Sequence, residues 1–124
     1  MKKNKVLIVD DQPGMTETLA DILEDKGCEV AMATNGFQAL QHVAMHSVDM
    51  VLMDVIMPGM NGVDTFRALK RVSPQTPVVI MTGYQVHHLV QDAMEEGSVA
   101  VLQKPVDPSL LVGIVLTTLQ KGEA

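Results

Sequence analysis

Five short apolar runs punctuate the chain, at residues 6–9, 30–33, 50–53, 78–81 and 99–102. Each has the length of a strand and is rich in β-branched or long aliphatic residues. None alternates cleanly with polar positions, which is the pattern of parallel strands covered on both faces. Between the runs, apolar residues recur at helical spacing: Met15, Leu19, Ile22 and Leu23; then Leu40, Val43 and Ala44; then Val63, Phe66 and Leu69; then Leu89, Val90, Ala93 and Met94. A fifth helical segment follows the last run. It opens at Asp107 as N-cap with Pro108 at the first helical position, and it carries Leu111, Ile114, Val115 and Leu119 on one side. Gly27 is expected to end the first helix, Gly36 to sit at the turn into the second and Gly97 to close the fourth. Strand and helix therefore alternate five times. Right-handed crossovers satisfy that order best, placing helices on both faces of an open parallel sheet.

The length, 124 residues, is room for one domain with a real core, expected to span residues 1–124. Hydrophobic residues make up 47% against 19% charged, which excludes a disordered or fibrous chain. A net charge of −6 argues against direct nucleic-acid contact, because a phosphate-backbone binder needs a basic face. The one cysteine, Cys28, can form neither an internal bridge nor a multi-thiolate metal site. The opening MKKNKVLIVDD fits no export signal, and no run of about twenty apolar residues suits a membrane span. A reducing cytoplasm is the expected compartment. Met50, Met53 and Met81 fall within strand runs, where filling irregular core gaps explains them.

In an open parallel sheet, ligands bind outside the carboxyl ends of the strands, where strand order reverses. The residues just past each run therefore matter most: Asp10 and Asp11 after the first, Asp54 after the third, Thr82 after the fourth, Lys104 after the fifth. Singly, Asp10 or Asp11 reads equally well as a helix cap, Thr82 as a turn hydroxyl and Lys104 as a surface charge. Asp54 is harder to dismiss, because it interrupts the apolar stretch MVLMDVIMPGM, where an acid must be paired or functional. Three acids on one rim repel unless a cation neutralises them. Mg²⁺ (or Mn²⁺) with the ammonium of Lys104 balances the three carboxylates, and oxygen ligands suit such an ion. Zinc does not fit: His42, His46, His87 and His88 have no paired spacing joined to Cys or acids, and His87 and His88 read as an exposed helix start. A metal and an ammonium facing a carboxylate define a phosphoryl-transfer site with Asp54 as nucleophile.

At these residues the chain resembles the receiver domain of bacterial two-component response regulators. The likeness runs over essentially the whole sequence, through VLIVDDQ, LMDVIMPGMNG, VVIMTGY and VLQKP in that order. It implies a flavodoxin-like (βα)5 doubly wound α/β sandwich with strand order 2-1-3-4-5, an order that spacing does not give. By the same resemblance, Asp54 is the phosphoacceptor, Asp10 and Asp11 bind Mg²⁺ with Asp54, and the backbone carbonyl of Ile56 is a further metal ligand. Thr82 is the switch hydroxyl and Lys104 the phosphate-contacting lysine, with a peptide to Pro105 that is usually cis in the family.

The implied donor is a phosphohistidine on a sensor histidine kinase or histidine phosphotransfer protein. The implied recipient of the signal is a downstream effector domain or protein, and the chain is monomeric or a phosphorylation-dependent dimer. It is expected to be a signalling phosphoacceptor that catalyses only its own phosphorylation and dephosphorylation, not an enzyme acting on an outside substrate. The charge gained by Asp54 recruits Thr82 and Lys104 and is expected to remodel the surface of the fourth helix, fifth strand and fifth helix.

Two positions depart from the family pattern. Val101 stands where many members carry the Tyr or Phe of the switch, and Val106 where many carry Phe. Ile56 and Tyr84, flanking the phosphoryl group, are poor orienters of an attacking water, so slow spontaneous loss of phosphate is expected. A pure binding module, a flavin carrier and an aspartate-nucleophile phosphatase are the competing readings. All five site residues speak against the first. The absence of a Gly-rich loop after the first strand and of a second Asp at position 56 speaks against the others.

Overall fold

The computed structural model describes residues 3–54, 62–82, 97–104 and 106–123, with the side chains of residues 13, 15, 82 and 121–123 set aside. Five strands, β1 (Lys5–Val9), β2 (Glu29–Ala33), β3 (Met50–Asp54), β4 (Val78–Thr82) and β5 (Ala100–Gln103), form one parallel sheet in the order β2-β1-β3-β4-β5. The described helices are α1 (Pro13–Asp25), α2 (Gly36–Met45), α3 (Gly62–Val72) and α4 (Pro108–Glu123). The helical segment expected around Leu89, Val90, Ala93 and Met94 lies outside the described residues, as do the side chain of Met15, His87, His88 and the Lys104–Pro105 peptide.

Side chains along a strand point alternately to the two faces, and here both faces are dry. Leu7, Val9, Val51, Met53, Val78 and Ile80 meet Ala39 of α2 and Val63, Phe66 and Leu69 of α3. Val6, Ile8, Met50, Leu52, Val79 and Met81 meet Leu19 and Leu23 of α1 and Leu111 and Val115 of α4. Double coverage is why the central runs read as continuously apolar. The edge strands β2 and β5 are only partly covered: Met32 is exposed, and no residue of β5 is fully buried. Met50, Met53 and Met81 are completely buried, as gap-filling requires.

The helix boundaries follow local chemistry. Gly27, at φ 91°, occupies the left-handed region just past α1, where the Cβ of any other residue would be strained. Asp107 caps α4 through its Oδ1, which accepts the Ser109 amide at 2.9 Å. Two expectations need correction. Gly36 is the first residue of α2 and not a turn, because Asn35 takes the N-cap and its side chain accepts the Gln38 amide at 2.8 Å. That start phases the helix so that Gly36 and Ala39 are buried and Leu40 and Val43 half-buried, leaving Ala44 in solvent. The last strand runs one residue later than expected, since pairing with β4 begins at Ala100 and Val99 lies before it, 44% exposed. No helix among the described residues is long and apolar enough to cross a membrane.

Candidate functional site

Strand order reverses between β1 and β3, and the chain leaves those neighbouring strands on opposite sides, opening a crevice at their carboxyl ends. Asp10 follows β1 directly and Asp54 is the last residue of β3. Both are buried, at 1% and 6% exposure, while Asp11 is exposed. Carboxylate oxygens of Asp10, Asp11 and Asp54 lie within 4.8 Å of one another. Lys104 stands just past β5, two strands and roughly 10 Å of sheet width from β3, a gap that its stem closes together with the side chain of Asp54 and the bond between them. Its Nζ donates to Asp10 Oδ2 and to Asp54 Oδ2, each at 2.9 Å.

The side chain of Lys104 is 15% exposed and those of its two acids less still. Burial taken alone would push the ammonium's pKa down. The hydrogen bonds and negative charges of Asp54 and Asp10 outweigh it and raise the pKa above its ordinary value. Lys104 is therefore a fixed positive charge between two acids.

Asp10 has a second anchor, since its Oδ1 accepts the backbone amide of Gln12 at 2.9 Å. Sequence reasoning missed this contact, although a short turn between a strand and a helix opened by Pro13 is where an aspartate often bonds the amide two residues on. The N-cap of α1 is Gln12, without a side-chain bond, so neither acid serves as that cap.

Oxygen-only donors clustered on an open rim suit Mg²⁺ or Mn²⁺, which take a few carboxylates and keep waters. The charges agree: three carboxylates and one ammonium leave −2, the complement of one divalent ion. The sequence-expected residues Asp10, Asp11, Asp54 and Lys104 are thus brought together. Thr82 ends β4 beside them in the sheet, with Met81 paired to Asp54, but its side chain is outside the described residues, as are Ile56 and Tyr84. Val101, at the position of the family's switch aromatic, is half-buried against the core beneath α2 and α3.

A hollow of about 670 Å³ opens at the opposite end of the sheet, beside Asn4, Asp49 and Pro77. It contains none of these residues, so the chemistry belongs to the carboxyl-end rim.

The family model described as response regulator receiver domain matches residues 6–116. Sporulation initiation phosphotransferase F of Bacillus subtilis (strain 168) is 36% identical over 107 residues, covering 86% of this chain and 86% of that protein. The transcriptional regulatory protein CpxR of Escherichia coli (strain K12) is 37% identical over 121 residues, but the chain spans only 50% of its length. Among solved structures, a CheY-like receiver domain protein from Methanospirillum hungatei JF-1 matches with a TM-score of 0.94 at 25% identity, over 98% of both chains. A receiver domain protein from Clostridium thermocellum matches with a TM-score of 0.89 at 29% identity, over 97% of both.

Proposed function

Because the chain belongs to the response regulator receiver domain family and is a phosphoacceptor receiver of two-component signalling, we propose that Asp54 is its acceptor and that residues 1–124 are a single receiver. The observation that carries this is Lys104 Nζ held 2.9 Å from both Asp54 and Asp10. A carboxylate fixed against an ammonium, with two further acids beside it, is built to receive a phosphoryl group and its three charge-bearing oxygens once a divalent ion is present. An oxygen of Asp54 attacks the phosphorus of a phosphohistidine. The P–N bond breaks as the O–P bond forms, and the imidazole leaves with the bonding pair and takes up a proton. Lys104 turns from Asp10 toward the new phosphoryl oxygens, Thr82 donates to another, and the Gln12 amide keeps Asp10 in place.

Asp10, Asp11 and Asp54, with the Ile56 carbonyl, would hold Mg²⁺ or Mn²⁺. Such an ion supplies charge neutralisation of the crowded oxygens. The domain then acts on no outside substrate: it speeds only the gain and loss of its own phosphoryl group, with slow loss expected from Ile56 and Tyr84. A sensor histidine kinase or phosphotransfer protein is the donor partner. The output is a changed contact with an effector domain or protein, or with a second copy.

Incubation with Mg²⁺ and a small phosphodonor, followed by intact-mass measurement, tests the reading. Wild type should gain one phosphoryl group, and Asp54→Ala or wild type in EDTA should gain none. Modification that survives Asp54→Ala would remove Asp54 from the mechanism.

A further inference from the structure

The pair formed by His42 and His46 lies at the other end of the sheet and takes no part in the chemistry above. The two residues are four apart, one in the last turn of α2 and one just beyond it. The His46 amide donates to the His42 carbonyl at 2.9 Å, which ties the second ring back over the helix end. Their ring centroids are 4.7 Å apart, with planes tilted by 32°.

The separation has a geometric meaning. A metal bound through a ring nitrogen at about 2.0–2.1 Å lies about 3.2 Å from that ring's centroid. Centroids 4.7 Å apart then subtend about 95° at a shared ion. That is near the cis angle of a square-planar or tetragonal ion, and among divalent ions a nitrogen pair binds Cu²⁺ most strongly.

The surroundings suit a cation held by two nitrogens and water. The final carbonyls of α2 give its end a partial negative charge. Both imidazoles line a hollow of about 110 Å³ with Lys5 and Glu29, and burial, His46 and the charge of Lys5 lower the pKa of His42, which favours the neutral ring a metal ligand needs. Asp49 adds one more negative charge nearby, its Oδ2 accepting the Lys5 amide at 2.7 Å. On the outer side, Gln38, Gln41 and the thioether of Met45 share a second hollow with the two rings. Among the described residues, the one group of three or more His, Cys, Asp or Glu with converging ligand atoms is the acidic rim, so no third protein ligand of that kind joins the pair.

We propose that His42 and His46 form a cis chelate for a late divalent transition ion, Cu²⁺ foremost, at a site separate from the acidic rim. The two sites sort ions by donor type: the all-oxygen rim takes Mg²⁺ or Mn²⁺, and the imidazole pair takes an ion that prefers nitrogen.

Copper titration of the full chain in excess Mg²⁺, with the rim occupied, tests this by affinity and by electron paramagnetic resonance. One Cu²⁺ per chain is expected, with a tetragonal spectrum showing coupling to two nitrogens. His46→Ala, at an exposed position, and His42→Asn should each weaken binding at least tenfold and reduce the coupling to a single nitrogen. Asp54→Asn should leave both readouts unchanged. Retention of the two-nitrogen spectrum and of the affinity in either histidine variant would assign the ion to other ligands. An oxygen-only spectrum would leave 4.7 Å as simple ring packing; either result overturns the site.

Discussion

Lys104 is one ammonium shared by two buried acids, so its loss leaves uncompensated negative charge and not merely a missing contact. Removing one partner of a fully buried pair costs about 3–5 kcal/mol, and a rim open to water on one side reduces that to about 1–3 kcal/mol. Lys104→Met should therefore lower the urea-unfolding free energy by about this amount in EDTA. Mg²⁺ should recover part of it, because the ion takes over the neutralising role. A variant as stable as wild type in EDTA would mean that Asp10 and Asp54 do not need the ammonium. The residues of this cluster were legible in the sequence because each stands where an apolar run stops. Asp54 was legible most of all, as a charge inside a stretch that otherwise excludes water. What the sequence could not show is that Asp10 spends one oxygen on the Gln12 amide. Nor could it show that His42 and His46 meet, since ring orientation at a helix end depends on how the helix stops.

At the level of elements, the periodicity of apolar residues located the strands and the described helices and gave the buried faces of α1, α3 and α4, whereas in α2 it set Ala44 on the core side, where the structure leaves it exposed. In α2 the phase is set by its first turn: Asn35 accepts the Gln38 amide, and Gln38 Oε1 returns to accept the Thr34 amide at 2.9 Å. This reciprocal pair resembles a capping box shifted by one residue, and its signal, Asn followed three positions later by Gln, was in the sequence. Asn35→Ala should cost about 1 kcal/mol of global stability, whereas Asn35→Gly should cost only a few tenths. Urea unfolding followed by circular dichroism measures both, and an Asn35→Ala variant as stable as wild type would show that the side-chain bond contributes nothing. α4 illustrates the opposite case, where Asp107 and Pro108 mark the start so plainly that cap and buried face both came out as expected.

Across the whole molecule, neighbour relations were the least legible feature. Five similar apolar runs say nothing about which strand lies beside which, and the order 2-1-3-4-5 came from resemblance, not from pattern. Yet that order is what makes the site, because it sets β1 against β3 and so Asp10 against Asp54. A second molecular property complicates any test of the metal: a chain of net charge −6 gains stability from any cation that screens it. Mg²⁺ at tenfold over its dissociation constant should stabilise the native state by about 1.4 kcal/mol, or about 4–8 °C in melting temperature for a domain of this size. Asp11→Asn separates screening from binding. It changes the net charge by a single unit at an exposed position, so screening is nearly intact, while the rim loses one of three carboxylates. Most of the Mg²⁺-dependent shift should vanish in that variant, with sodium chloride at matched ionic strength giving wild type and variant the same small response. If Asp11→Asn kept the full shift, the ion would be acting on the molecule's overall charge, and the crevice between β1 and β3 would have no special claim on it.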